Sequence, residues 1–247
     1  MANLVIDIGN TLIKVAVFKQ NELLYFGSNR DVNSSELYEL IEKFGVKRGI
    51  ISSVRKESEA WRGEIESKIK LEYFNSDITA GVHNHYQSPK TLGLDRLAAV
   101  IGAYRLYPGQ NNLVIDAGTA ITYEYVDAYG NYFGGSISPG LNMRYKALNN
   151  YTDALPLLSA DKDFAAEQGN DTESALRSGV QNGIKFELLG FIEQYQAKQP
   201  GANIILTGGD SIFFDTLLKN SIFAPYVKIE PYLVLKGLNA AIQTNND

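Results

Sequence analysis

The chain has 247 residues, 45% of them hydrophobic and 21% charged, which is enough for one large or two small globular domains. Its formal net charge of -5 argues against nucleic acid or an anionic membrane as the main partner, because both require a basic face; a small anion needs only a local basic pocket. With no cysteine, disulfide scaffolds, thiolate metal sites and cysteine nucleophiles are excluded.

In chain order, the first apolar run is short and broken by Asp7, Asn10 and Lys14, with no basic segment before it, which argues against a signal peptide. No run reaches the roughly 18 apolar residues of a membrane helix, so the expectation is a soluble, cytoplasmic protein. Leu4 to Asp7 reads as a buried strand, followed by the turn Gly9-Asn10-Thr11, a return strand from Leu12 to Phe18 and a third from Glu22 to Gly27. Ser34 to Phe44 has helical spacing, with Ser34 or Ser35 as N-cap and Leu37, Leu40, Ile41 and Phe44 on one face. A short strand (Gly49 to Val54), an amphipathic helix (Ser58 to Ile69) and another strand (Leu71 to Phe74) follow. Leu92 to Leu106 is predicted as a helix with an apolar stripe, stopped by Pro108-Gly109.

The string Leu-Val-Ile-Asp then recurs as Leu113 to Asp116, again with a Gly and a hydroxyl behind it, Gly118-Thr119, and a return strand from Ala120 to Val126. The next turn is expected within Gly130 to Gly135, and Gly134 to Gly140 is too glycine-rich for a strand interior, so it reads as a loop entering a helix at Leu141. Gly169 to Glu173 carries capping groups for one long helix from Thr172 to Gln199. A buried strand, Asn203 to Thr207, runs into Gly208-Gly209-Asp210, followed by a helix, a strand at Val227 to Ile229 and a last helix from Tyr232 to Ile242. Two β-β-β units, each continued by alternating helices and strands, indicate an internal duplication with a boundary near Pro108 to Asn112.

These turns are candidates for phosphate binding. No Gly-x4-Gly-Lys-[Ser/Thr] loop and no protein-kinase signature occurs. Backbone N–H groups at a tight glycine turn form an anion nest, although Asn and Thr also satisfy such turns by themselves. The carboxylates of Asp7 and Asp116 oppose an anion, and an Asp at the end of a buried strand costs several kcal/mol unless paired or bound to a cation. A cation such as Mg²⁺ between carboxylates and phosphates removes the conflict, and Lys14 offers a point charge when it is not merely solvated. At Gly93-Leu94-Asp95-Arg96, Asp95 reads either as a helix cap or first-turn charge, or as an acceptor for a substrate hydroxyl proton with Arg96 holding a carboxylate. Tyr86 stands upstream in a loop, and His83 and His85 lack a third ligand pattern for a metal.

This ordered set (Asp7 to Thr11 with Lys14, Gly93 to Arg96, Asp116 to Thr122, Gly134 to Gly140, Leu206 to Asp210) resembles the motif series of type III pantothenate kinases, within the acetate and sugar kinase, heat-shock 70 and actin superfamily. The resemblance implies an α/β fold of two duplicated ribonuclease-H-like (actin-like ATPase) domains with mixed sheets flanked by helices, at 1–110 and 111–247, the last helix free to pack back on the first. It implies ATP-dependent phosphorylation of pantothenate at the start of coenzyme A synthesis, with Asp95 as general base. Phosphate binding falls to Asp7, Ile8, Gly9, Asn10, Thr11, Leu12, Ile13 and Lys14, and nucleotide contact to Thr119. Pantothenate binding falls to Tyr86, Gly93, Leu94, Asp95, Arg96 and Thr172, although Asp171 here separates Asn170 from Thr172 where the family has Asn-Thr. It gives Asp116 to a monovalent cation, potassium or ammonium, where the residues alone suggested Mg²⁺, and leaves Mg²⁺ near Asp7. A homodimer with the active site near the subunit interface is implied, with no nucleic acid and no membrane. The alternatives are another small-molecule kinase of the superfamily and a non-catalytic nucleotide-binding regulator.

Overall fold

A computed structural model describes residues 1–54 and 61–244 of the chain. Its elements in order are β1 (Ala2–Ile8), β2 (Ile13–Lys19), β3 (Glu22–Asn29), α1 (Ser34–Phe44), β4 (Val46–Ser53), α2 (Arg62–Glu66), β5 (Lys70–Tyr73), β6 (His83–Asn84) and α3 (Leu94–Leu106). There follow β7 (Asn112–Ala117), β8 (Ala120–Val126), β9 (Asn131–Pro139), α4 (Leu141–Asn150), α5 (Thr172–Arg177), α6 (Gly183–Lys198), β10 (Asn203–Thr207), α7 (Ser211–Leu218), β11 (Val227–Ile229) and α8 (Leu233–Thr244). One sheet has the order β3-β2-β1-β4-β5 and the other β11-β10-β7-β8-β9-β6. Strand for strand the first order reappears in the second, with β6 added at one edge. In both, a central strand pairs antiparallel with the next strand and parallel with the one after the crossover.

Two compact units divide the chain: Met1–Gly109, Ala128–Phe133 and the chain from Tyr232 form one, Gln110–Asp127 and Gly134–Pro231 the other. In the first, β1 is buried on both faces from Leu4 to Ile8, as a central strand covered by helices should be. Leu37, Leu40 and Ile41 bring α1 onto that core with Ile65 and Trp61. The cap of α1 is Asn33 rather than Ser34 or Ser35: its side chain accepts the Glu36 N–H, because Asn33 is the last residue with extended backbone. The described part of the predicted helix from Ser58 is α2, and Ser58 itself lies outside the described residues.

Helix α3 differs from the expected single stripe, being buried at every position from Arg96 to Ala103. The reason is α8, which meets it at glycines. A Cβ on Gly237 would overlap the Ala98 carbonyl oxygen, and one on Gly102 would come within 2.5 Å of the Leu233 carbonyl. Asn239 of α8 is also tied to the sheet, accepting from Asn3 Nδ2 (3.1 Å) and donating to the Gln20 carbonyl (2.7 Å). Gly237→Ala is therefore expected to force these backbones apart and destabilise the protein by about 2–3 kcal/mol, the upper part of the usual range of overpacking. The corresponding fall in Tm is roughly 4–12 °C at this chain length, and an unchanged melting curve would contradict the close packing.

In the second unit two sequence expectations fail. The segment from Gly134 belongs to a strand, β9, that runs from Asn131 to Pro139 and so also takes in most of Gly130 to Gly135, where the next turn is expected; the turn itself ends at Gly130. Glycine serves there because a Cβ on Gly135 would overlap the Tyr123 carbonyl oxygen, so only glycine lets the backbones come that close. The predicted helix from Thr172 to Gln199 is interrupted by a wide π turn at Ser178–Asn182. Side chains of that turn hold the 161–167 segment: Ser178 Oγ and Asn182 Nδ2 donate to the Glu167 carbonyl, and Gln181 both accepts from the Asp161 N–H and donates to its carbonyl.

Candidate functional site

In the first unit, β1 delivers Asp7 to its C-terminal end, where it is 6% exposed. The strand register sets Lys14 of β2 directly opposite Asp7, and Ser52 of β4 on the other side. Directly opposed residues leave the same face of a sheet, so a carboxylate and an ammonium share one surface here. The Gly9 N–H donates to the Leu12 carbonyl (3.0 Å) and closes the turn. Gly9 is thus spent on the loop itself, leaving Asn10, Thr11 and Leu12 exposed at its tip. Ile8 and Ile13 on either side are fully buried and anchor that tip in the core.

A second group forms at the start of α3. Gly93 is the N-cap residue and provides no side chain, so Asp95 is a first-turn acid and not the cap. One carboxylate oxygen of Asp95 accepts the Arg96 N–H at 2.8 Å and lies over Gly93, where a Cβ would stand 2.6 Å from it. The glycine of Gly93-Leu94-Asp95-Arg96 therefore makes room for the curled carboxylate. Arg96 is 6% exposed, and its guanidinium sits 5.5 Å above the Tyr86 ring. Tyr86 in turn stacks parallel to Tyr132, with centroids 6.4 Å apart, and β6 next to it pairs with Asn131 and Tyr132. Tyr86, Gly93, Asp95 and Arg96 are thus brought together, with Leu94 between them half-buried. Tyr132 is the member the sequence reading missed. The aromatic pair Tyr132-Phe133 within a glycine-bounded stretch was the available signal, and only the pairing with β6 makes it a wall of this site.

In the second unit, Asp116 occupies the place Asp7 has in the first: its register partners are Thr122 on β8 and Thr207 on β10. Gly118 N–H donates to the Ala120 carbonyl (3.1 Å) and closes this turn as Gly9 closes the other. Thr119 is exposed at its tip. Two further glycines grip the turn. Gly140 N–H donates to the Thr119 carbonyl (3.2 Å), and a Cβ on Gly140 would overlap that oxygen. Gly208, at φ 88°, lies so close to the Asp116 carboxylate that any side chain there would collide with it. Asp210 N–H donates to the Ala117 carbonyl (2.9 Å), and burial raises the Asp210 carboxyl above the usual range, partly offset by Lys162. Thr172 opens α5 and is exposed. The Asp171 that separates it from Asn170 is the helix cap, accepting from the Ser174 N–H at 2.9 Å; that bond and the Ser174 side chain lower its pKa. Among the described residues no cluster of three His, Cys, Asp or Glu side chains forms a ready metal site, and no helix is long and apolar enough to cross a membrane.

Chemically, the first unit offers a carboxylate at a helix start beside a buried guanidinium and a phenol, suited to a small molecule carrying a hydroxyl and a carboxylate. Each unit offers a glycine turn beside a strand-end carboxylate, suited to phosphates with bound cations. A sequence model of the type III pantothenate kinase family matches residues 3–196. The chain is similar to the type III pantothenate kinase of Phocaeicola vulgatus, 44% identical over 247 residues and 99% of each chain. It is also similar to that of Flavobacterium johnsoniae, 42% identical over 90% of this chain and 91% of the other. Among solved structures it is similar to a putative Baf family transcriptional activator from Campylobacter jejuni (TM-score 0.60, 20% identity, 98% of each chain). A putative N-acetylmannosamine kinase from Listeria monocytogenes also aligns (TM-score 0.57, 15% identity, 100% of each chain). At these identities the structures show the fold alone.

Proposed function

The chain belongs to the type III pantothenate kinase family, and from that premise we propose how its residues divide the work. The reaction is ATP-dependent phosphorylation of pantothenate, the first step of coenzyme A synthesis. The observation that carries the residue assignment is the group at the start of α3: Asp95 folded over Gly93, next to Arg96 buried beneath Tyr86.

In this reading Arg96 binds the pantothenate carboxylate, Tyr86 and Leu94 line its path, Thr172 contributes a hydroxyl, and Asp95 accepts the proton of the attacking hydroxyl. The reactant alcohol gains the γ-phosphoryl group in line as its O–H bond breaks, and ADP leaves. Asp7 to Lys14 bind the phosphates, with the exposed Asn10 and Thr11 and the Lys14 ammonium as donors, while Thr119 contacts the nucleotide. Mg²⁺, if bound with ATP, would supply positive charge against the phosphates. The buried Asp7 is the carboxylate suited to orient its waters. The strand-end carboxylate of Asp116, half-buried with Gly208 packed against it, is the group suited to a monovalent cation. The two ribonuclease-H-like domains are read at 1–110 and 111–247, the last helix going with the first, and the working unit as a homodimer. Exposed apolar side chains such as Ile137 and Phe186 support a partner surface.

The test is ADP release with ATP and pantothenate, with and without potassium, beside a panel of sugars. Turnover on a sugar and none on pantothenate would assign another kinase of the superfamily, and binding of ATP without turnover on any acceptor would assign a regulator. Within the site, Arg96→Lys keeps the charge but loses the fork that matches a carboxylate. A charged hydrogen bond contributes about 1.5–3 kcal/mol, so KM for pantothenate is expected to rise roughly 10- to 100-fold with KM for ATP little changed. An unaltered pantothenate KM would remove Arg96 from the substrate site.

A further inference from the structure

Four elements of the second unit meet on one carboxylate that none of the motifs contains. Glu187, on α6, accepts from Tyr123 Oη of β8 (2.8 Å), from Ser138 Oγ of β9 (3.0 Å) and from Arg144 Nη2 of α4. Arg144 has two more acceptors: Ser138 Oγ at 2.9 Å from Nη2, and the Pro139 carbonyl at 2.8 Å from Nε. The ion pair is only 19% and 22% exposed at its side chains, and Tyr123 is fully buried. The grip therefore falls on Ser138 and Pro139, and the next residue is Gly140, whose N–H bonds the Thr119 carbonyl. Backbone contact at Gly140 is so close that the Gly118-Thr119 turn has to follow wherever this corner of β9 goes.

We propose that Glu187 and Arg144 are positioning residues for the nucleotide turn, holding the Ser138–Gly140 corner so that Thr119 is presented to ATP in one fixed geometry. The proposal rests on the reading that Thr119 contacts the nucleotide. Arg144 is suited to the task because a planar guanidinium reaches a carboxylate, a hydroxyl and a carbonyl at once, which an ammonium on a flexible stem does not. The Tyr123 phenol, raised well above its ordinary range by burial and by the Glu187 carboxylate, stays a donor throughout the working pH range. A pair serving only to join α4 to α6 would have no reason to bind Ser138 and the Pro139 carbonyl as well.

Kinetics of the full-length protein separate the two roles. Glu187→Gln is nearly isosteric but removes the charge and turns one of the two accepting oxygens into a donor; Ser138→Ala removes the bridging hydroxyl and leaves the ion pair intact, which keeps the test open if the first variant folds poorly. Both are measured for KM of ATP, KM of pantothenate and Tm, with Thr119→Ala as the reference. Glu187→Gln is expected to raise KM for ATP roughly tenfold, and Ser138→Ala roughly threefold, both leaving KM for pantothenate within about twofold, since sub-ångström misplacement of a binding group is felt by its own ligand first. A lowered Tm with KM for ATP unchanged in both variants would make the network a plain structural tie. A raised ATP KM in Thr119→Ala beside unchanged values in the other two would overturn the brace alone. An unchanged value in Thr119→Ala would overturn the Thr119 reading and the brace with it.

Discussion

Asparagine in place of Asp95 is expected to lower kcat by about 10²- to 10⁴-fold, the usual worth of a positioned general base, while the dissociation constant for ATP stays within about twofold, because the phosphate and nucleotide residues are untouched. At 1.36 kcal/mol per decade that is roughly 3–5 kcal/mol of barrier. Asn is the informative replacement. Its amide oxygen still accepts the Arg96 N–H that Asp95 accepts at 2.8 Å, and it still fits over Gly93. Helix start and pocket shape are therefore kept, and what disappears is the ability to take a proton. Phosphoryl transfer asks an enzyme mainly for positioning and charge balance, so part of the loss will be orientation of the attacking hydroxyl. ADP release and calorimetric ATP binding on the same preparation check both halves. A variant retaining more than a tenth of wild-type kcat would remove Asp95 from the role of base.

Asp116→Asn is expected to abolish activation by potassium and to weaken ATP binding roughly 100-fold. Two unit charges 4 Å apart at an effective dielectric near 20 interact by about 4 kcal/mol, an upper bound of roughly 10³ in affinity, and solvent at this half-buried site lowers it. Gly208→Ala gives an independent check. It leaves the charge of Asp116 in place but drives a methyl group into its carboxylate, at a residue with φ 88° where any side chain is strained. The same loss of potassium response is expected, with a lower Tm besides. Titrations of ATP-dependent ADP release with potassium chloride, against sodium chloride at matched ionic strength, read both variants. A wild-type potassium response in Asp116→Asn would remove the cation role from Asp116.

Much of this was legible in the chain before its structure. The repeat of Leu-Val-Ile-Asp with a glycine turn marked the two central strands, and the sheets do share one strand order around them. The strand-end carboxylates and the Gly93-Leu94-Asp95-Arg96 helix start were readable because each is a local pattern: alternation or a run of β-formers, then a turn residue, then a helical period. What failed did so for a common reason. The glycines of Gly134 to Gly140 point to a loop, yet the segment is a strand as far as Pro139: Gly135 answers to Tyr123 on the neighbouring strand, and Gly140, the cap of α4, to the Thr119 turn. The π turn at Ser178–Asn182 answers to backbone groups 11 to 20 residues upstream. The cap falls at Asn33, one or two residues before the expected Ser34 or Ser35, because a cap depends on where the backbone turns helical, which propensity locates only within a residue or two.

The sequence by itself determined the duplicated α/β plan, the two glycine turns with their carboxylates, and the acid and guanidinium at the start of α3, since all of these follow from residue types a few positions apart. The tertiary structure alone decided that Lys14 faces Asp7, that Tyr132 backs Tyr86, that Gly140 and Gly208 close on the Asp116 turn, and that Arg144 and Glu187 lock the corner beside it. These relations join residues from 7 to 92 positions apart in the chain. They are set by strand register and by how closely two backbones approach, quantities that depend on the packed partner and leave no period in the local sequence.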